Sequence, residues 1–302
     1  MEPAPQHEVV CFGEVLWDIL PSGALPGGAP MNVAYHLKKL GCSPALISKI
    51  APDEYGKAVI EILAKSGVNT EFFQVDYEHP TGLVYANVSE HEVKYDIVYP
   101  SAWDFIEWND EFNNLLQQAR YLVFGSLTSR SRQSRETLYQ CLEIAKTRVL
   151  DINIRPPHFN RSQLEYLLHR ADILKMNEGE LELITGWFSP FNNIEDRIRL
   201  IQDKFKMETV IVTMGGDGAL VNDKGSLFRH RGFTITVADT IGSGDAFLAG
   251  FIQQLLHGSS AEKSLGFASA MGAFIATQSG ACPRYNPSQV QELLTSHSLQ
   301  HQ

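Results

Sequence analysis

The feature that most restricts the fold of this chain is an alternation of two periodicities. Apolar, β-rich runs at residues 9–13, 45–50, 121–125, 148–152, 173–176 and 209–214 are separated by other segments at 31–40, 55–66, 131–145 and 194–205. In those, apolar side chains return every three or four positions. Strands that alternate with helices form a parallel sheet covered on both faces, and ligands gather at the carboxyl ends of its strands. The expected class is therefore α/β, a doubly wound, mainly parallel sheet flanked by helices.

One stretch departs from the rhythm, because 72–75, 82–88 and 93–98 read as short consecutive strands with no helix between them. They predict a small β insertion. It serves either as a lid that keeps water from a reacting centre or as an edge for dimer contacts. From Asp245 onward the pattern turns helical, at 246–257, 261–279 and 287–298, with Ala268, Ala270, Gly272 and Ala273 permitting close packing. No repeat or low-complexity linker divides the chain, so one domain over 1–302 is expected, with lid strands drawn from about 14–20 and 70–100.

Charge narrows the function. A formal net charge of -10 and a pI near 5.5 oppose binding to nucleic acid or to an anionic membrane, both of which require an excess of Lys and Arg. Residues 1–8 carry acids and prolines rather than a basic patch and an apolar run, and no apolar stretch approaches membrane-spanning length. Cys11, Cys42, Cys141 and Cys282 lie far apart without a C-x-x-C pair, which opposes a disulfide framework and a zinc site. The cytoplasm is the expected compartment. The triplets starting at Asn87 and Asn160 matter only in a secreted protein, and 300–302 reads as a solvated tail.

The most informative segment is Asp239-Thr240-Ile241-Gly242-Ser243-Gly244-Asp245-Ala246-Phe247, which follows a β-like run at 233–238 and opens an amphipathic helix. Small residues at 242–244 let a ligand approach the backbone, and the first turn of a helix leaves N–H groups unpaired at the positive end of its dipole. This is an anion hole, with Asp245 placed to accept a proton from an attacking hydroxyl. A plain N-cap role for Asp245 is the structural alternative.

Two further turns follow strands. Thr213-Met214-Gly215-Gly216-Asp217-Gly218 suits nucleotide phosphates or ribose, or simply a hairpin turn. Asn177-Glu178-Gly179-Glu180 offers oxygens for a hydrated Mg²⁺ beside a triphosphate, or an ordinary helix cap. Walker, protein-kinase and Rossmann signatures are all missing. Near the amino end, Asp18 lies just past the first strand and Gly27-Gly28-Ala29-Pro30-Met31-Asn32 forms a glycine loop leading into a helix. Carboxylate and amide groups beside glycines suit the vicinal hydroxyls of a sugar; the alternative is a chain turn with Asn32 on the helix surface.

In this order, Gly27-Gly28-Ala29-Pro30-x-Asn32, Asn177-x-x-Glu180, Thr213-x-Gly215-x-x-Gly218 and Asp239-Thr240-x-Gly242-x-Gly244-Asp245 resemble the ribokinase-like PfkB family of carbohydrate kinases over essentially the whole chain. Phe124-Gly125-Ser126-Leu127, Asp151-x-Asn153-x-Arg155-Pro156-Pro157 and Ala102-Trp103-Asp104 look like fructokinase segments.

The resemblance implies a ribokinase-like α/β sandwich with a β-sheet lid, ATP·Mg²⁺ as donor, a small sugar as acceptor, and commonly a homodimer joined through the lids. It implies Asp245 as base, with the amides of Gly242, Ser243 and Gly244 holding the transferring phosphoryl group. Asp18, Gly27, Gly28 and Asn32 would bind sugar, with Trp103 on the lid side and Arg155 reaching the sugar or the γ-phosphate. Asn177 and Glu180 would serve Mg²⁺, through water, and the phosphates, while Thr213, Gly215 and Gly218 would serve the nucleotide. Some members of the family use a monovalent cation such as K⁺, whose site corresponds here to Asp239 and Ile241 with the 276–282 loop. Ser243 stands where the family more often has alanine, and a backbone hole tolerates so small a change.

Overall fold

A computed structural model describes residues 6–21, 23–88, 93–190 and 192–300; the tail at 301–302 and Ser89 of the first Asn-x-Ser triplet lie outside them. The chain divides into two units, Met1–Lys146 with Gly280–Cys282, and Thr147–Ser279 with Pro283–Gln302. Among the described residues, no helix is long and apolar enough to cross a membrane.

The first unit contains, in chain order, β1 (Val9–Phe12), β2 (Leu16–Leu20), β3 (Gly23–Gly27), α1 (Ala29–Lys39), β4 (Pro44–Ile50), α2 (Glu54–Ser66), β5 (Phe73–Val75), β6 (Gly82–Val88), β7 (Val93–Ile97), α3 (Glu111–Gln118), β8 (Tyr121–Gly125) and α4 (Arg132–Ile144). β1 pairs in parallel with β4 and with β8, and β4 in parallel with β5, giving the order β8-β1-β4-β5. β1 and β4 are buried along their whole length, as parallel strands covered on both faces must be. α2 begins where the Asp53 side chain accepts the Gly56 N–H at 2.7 Å and stops at left-handed Gly67, a capped start and a glycine end.

The expected β insertion is a four-stranded sheet in which β2 pairs with antiparallel β3 and parallel β6, and β6 with antiparallel β7. Its membership corrects the sequence reading twice. Phe73–Val75 belongs to the other sheet, pairing with Ser48–Ile50 of β4. β2 falls within the expected 14–20, whereas β3 was not foreseen, its pattern being masked in the sequence by Gly23, Pro26 and Gly27. Beneath the sheet, Leu16, Val84, Ile97 and Leu127 pack with the fully buried Trp103. Arg130 grips Asp104 with two bonds of 2.8 and 2.7 Å, donates to the Val98 carbonyl and lies 4.0 Å from the centre of the Trp103 ring. The pair tolerates burial because its donors and acceptors are satisfied.

The second unit contains β9 (Arg148–Asp151), α5 (Arg161–Leu168), β10 (Ile173–Asn177), α6 (Glu178–Thr185), α7 (Ile194–Phe205), β11 (Thr209–Thr213), β12 (Ala219–Asp223), β13 (Ser226–His230), α8 (Ser243–Leu256), α9 (Ala261–Ala276) and α10 (Pro287–Gln300). β9, β10 and β11 are parallel; β12 and β13 add antiparallel neighbours. The β-like run at 233–238 forms no strand, a third correction. Gly232, at φ 80°, turns the chain out of β13, and the residues beyond it, including half-exposed Val237, join no sheet. α8 and α9 pack closely where Gly250 faces Met271 and Ala268; a Cβ at 250 would lie 2.9 Å from the Met271 side chain. The α/β class with a mainly parallel sheet and a small separate sheet is thus the observed one.

Candidate active site

α8 starts without help from a side chain. Its N-cap is Gly242 in the left-handed region at φ 75°, and Asp245 stands at the third helical position, so the simple N-cap role for Asp245 does not hold. The approach is tied down instead by Asp239, whose Oδ1 accepts the Ile241 N–H at 3.0 Å, and by Ser243, whose Oγ donates to the Thr240 carbonyl at 2.9 Å. Ser243 also gives its N–H to Thr240 in a long 3.2 Å bond, so of the three amides expected to face an anion this one already has an acceptor. Helix geometry leaves the other N–H groups of the first turn without intrahelical acceptors. Residues 241–245 are partly exposed, whereas 246–252 are buried, so the amino-terminal half of the helix presents only its first turn.

Below this turn lies a buried cation. Lys175, in β10, whose other buried residues are apolar, donates to Asp151 Oδ2 at 2.8 Å, and a Cβ added to Gly244 would sit 3.2 Å from its Nζ. Burial pulls the ammonium's pKa down, but Asp151, Asp245 and Glu180 outweigh that and leave it above the usual lysine value.

Glu180 is buried and doubly engaged, accepting the Asn177 N–H at 2.8 Å and the Ile154 N–H at 2.7 Å, while Asn177 Oδ1 accepts the Glu180 N–H at 2.9 Å. Asn177 and Glu180 therefore form a capping box at the start of α6. Burial raises the Glu180 pKa, with Asp151 adding to the effect; the amides and Lys175 do not fully offset it. Arg155 is exposed and donates to the Ile154 carbonyl at 3.3 Å.

The glycine cluster after β11 is a hairpin, since β12 returns antiparallel. Gly215 and Gly218 have φ of 57° and 88°; a Cβ at 218 would lie 2.0 Å from the His230 carbonyl, whereas 215 and 216 face open space. The turn is thus closed on one side by β13 and bare on the other. Thr213 ends β11, partly exposed.

In the first unit Asp18 lies on β2, opposite β3, and a Cβ on Gly27 would meet its Oδ2 at 2.7 Å, so glycine leaves the carboxylate its room. Gly28, at φ 112°, is the N-cap of α1 and passes so near the Glu14 carbonyl that a Cβ would lie 2.3 Å from it. Asn32 is buried, which overturns its reading as a helix-surface residue, and its Oδ1 accepts the Cys282 thiol at 3.3 Å. Trp103 has no exposed surface; it supports the strands of the small sheet and reaches a ligand only through them.

Sequence reasoning passed over Lys175, the contact of Cys282 with Asn32, and His36, which lies one turn after Asn32 and is buried within 2.9 Å of the Ala281 carbonyl. Lys175 carries a legible signal, a charge inside an apolar run of a parallel strand, where an unpaired ammonium cannot stay. The two partners of residues 281–282 lie some 250 positions away and leave no local trace.

The profile of the pfkB family carbohydrate kinase matches residues 23–288. The chain is 30% identical over 321 residues to the probable fructokinase-5 of Arabidopsis thaliana, covering 96% of this chain and 98% of that one. It is also 30% identical to fructokinase-1 of Zea mays, over 93% and 95% of the two chains. Among solved structures, a fructokinase with bound ATP from Xylella fastidiosa superposes with a TM-score of 0.85 at 21% identity, over 96% of this chain and 98% of that one. A Vibrio cholerae fructokinase in a fructose, ADP and calcium-bound form gives 0.82 at 24%, over 96% and 99%.

Proposed function

The chain belongs to the pfkB family of carbohydrate kinases, and from that premise we propose that it transfers the γ-phosphoryl group of ATP to a hydroxyl of fructose, with Asp245 as general base. The observation that carries this reading is the start of α8, where a left-handed glycine replaces a side-chain cap and a carboxylate stands in the first turn beside open amides. A side-chain cap would occupy one of these amides, whereas glycine leaves them to a ligand. Fructose as acceptor rests on the likeness to the plant fructokinases.

Asp18 and Asn32 bind the sugar. Asp245 takes the hydroxyl proton as the oxygen attacks, ADP leaves in line, and the amides of Gly242 and Gly244, with that of Ser243 once released from Thr240, receive the charge on the equatorial oxygens. The hairpin glycines Gly215 and Gly218, with Thr213, receive the nucleotide, and Arg155 is free to swing to the sugar or the γ-phosphate. Mg²⁺ bound with ATP would neutralise charge on the triphosphate. Glu180, with both oxygens bonded to amides, fits it only through water, and Asn177 stands exposed beside it. Asp239 and the backbone of Ile241 offer hard oxygens suited to K⁺. A homodimer joined through the small sheet and a cytoplasmic location complete the proposal.

The test is ADP release from Mg·ATP with fructose, ribose, tagatose, 2-keto-3-deoxygluconate and adenosine as acceptors. Fructose should give the highest kcat/KM. A higher value on another acceptor reassigns the substrate, and no ADP release on any of them overturns the reading.

A further inference from the structure

Lys175, paired with Asp151, is a buried group near the start of α8 that the mechanism above leaves unused. It occupies the middle of β10, in register with Asp151 of β9 and Ile211 of β11, so its side chain emerges within the sheet rather than at a loop. Three carboxylates, Asp151, Asp245 and Glu180, act on this single ammonium. Asp151 takes one of its three donors at 2.8 Å, which fixes the long side chain in one direction. That direction is toward Gly244, where any side chain would crowd Nζ at 3.2 Å. A buried lysine–aspartate pair adds little stability compared with apolar residues of the same volume, so stability alone gives no reason for a cation at this place in an apolar strand.

We propose that Lys175, locked by Asp151, is a positioning residue for phosphoryl transfer, its ammonium holding the first turn of α8 and the Asp245 carboxylate in their reactive place. The assignment rests on Asp245 being the base. Without the ammonium, Asp245 loses the cation that attracts it, and the turn loses the group that Gly244 rests against. The chemistry then fails while the distant contacts to sugar and nucleotide persist, so kcat should fall and KM should not.

The experiment compares Lys175→Met, Lys175→Arg, Asp245→Asn and the double variant Lys175→Met/Asp151→Asn, using the best acceptor of the wild-type enzyme and recording kcat, both KM values and the thermal midpoint. The single Met variant strands a buried carboxylate and is a poor test of catalysis if it unfolds; the double variant removes that charge. The double variant should melt near the wild-type temperature with kcat reduced about 100-fold, as for a misplaced reacting group, and KM values within about threefold. Lys175→Arg should recover at least about a tenth of the wild-type kcat, because charge and donors return.

A folded double variant with kcat within about threefold of wild type overturns the proposal, as does a loss of turnover that only tracks loss of folded protein in both Met variants. If Asp245→Asn keeps turnover, the base assignment falls and this inference with it. If Asp245→Asn is inactive while the double variant is active, Lys175 alone is reassigned to structure.

Discussion

Asn177 and Glu180 cap each other: the amide oxygen of Asn177 accepts the Glu180 N–H at 2.9 Å, and the Glu180 carboxylate accepts the Asn177 N–H at 2.8 Å. The remaining carboxylate oxygen takes the Ile154 N–H, linking the start of α6 to the segment after β9. Glu180 is therefore a structural acceptor before it is anything for a cation. Glu180→Ala orphans two main-chain donors, one of them buried, and should cost about 3 kcal/mol in urea unfolding. The Mg²⁺ concentration for half-maximal activity should move by less than about tenfold, since the carboxylate meets the ion only through water. A much larger shift would make Glu180 a direct ligand.

Asp245→Asn should separate chemistry from fold. Because Gly242 and not Asp245 caps α8, the variant removes no cap; it loses a carboxylate's interaction with the helix dipole, worth about 0.3–1 kcal/mol, and its attraction to Lys175, which keeps Asp151 as partner, so the thermal midpoint should change little. Turnover should fall by roughly 100-fold or more, the usual span for removal of a general base, with ATP still bound. Steady-state kinetics with calorimetric ATP titration checks both halves.

The strand and helix alternation made the α/β class legible, because buried parallel strands must be continuous apolar runs and helices must repeat every three to four residues. Helix ends were legible where a local rule governs them, as at Ile194–Phe205 after Asn193, whose side chain accepts the Glu195 N–H. β3 was missed because a proline and glycines interrupt it, and 233–238 was overread because β-branched residues form a strand only with a partner. At the site, the glycine turns were visible since they are contiguous. Lys175 and Asp151 lie 24 residues apart, and their bond exists only through the register of β9 and β10.

The hairpin after β11 allows two glycines of one turn to be told apart. Gly218 combines φ 88° with a would-be Cβ 2.0 Å from the His230 carbonyl, so Gly218→Ala must displace β13 backbone; a Cβ at Gly216 would meet nothing within 4 Å. Gly218→Ala should destabilise by roughly 2 kcal/mol or more, and Gly216→Ala by less than about 0.5 kcal/mol. If Gly216 nevertheless raises the KM for ATP when replaced by a bulkier residue such as Leu, with stability unchanged, the open side of this turn is where the nucleotide lies.

His36 makes the first unit sensitive to acid. Burial lowers its pKa from 6.5 to about 4, only partly countered by its bond to the Ala281 carbonyl, so the folded protein holds the ring neutral. Between those two values the unfolded chain binds the proton and the folded one does not. Stability therefore rises with pH through this window, is complete above about 6.5, and is lost as pH falls toward 4, by up to about 3 kcal/mol. His36→Gln keeps a donor for Ala281 but cannot titrate, so urea unfolding of the variant should lose less stability than wild type between pH 7 and pH 4.5. The same segment is held to α1 one turn earlier, where Cys282 donates to Asn32. Acid that protonates His36 should thus loosen the support of Asn32 as well, and the KM for sugar should rise in wild type over this range more than in His36→Gln. Equal pH dependence in the two proteins would place the acid-sensitive group elsewhere.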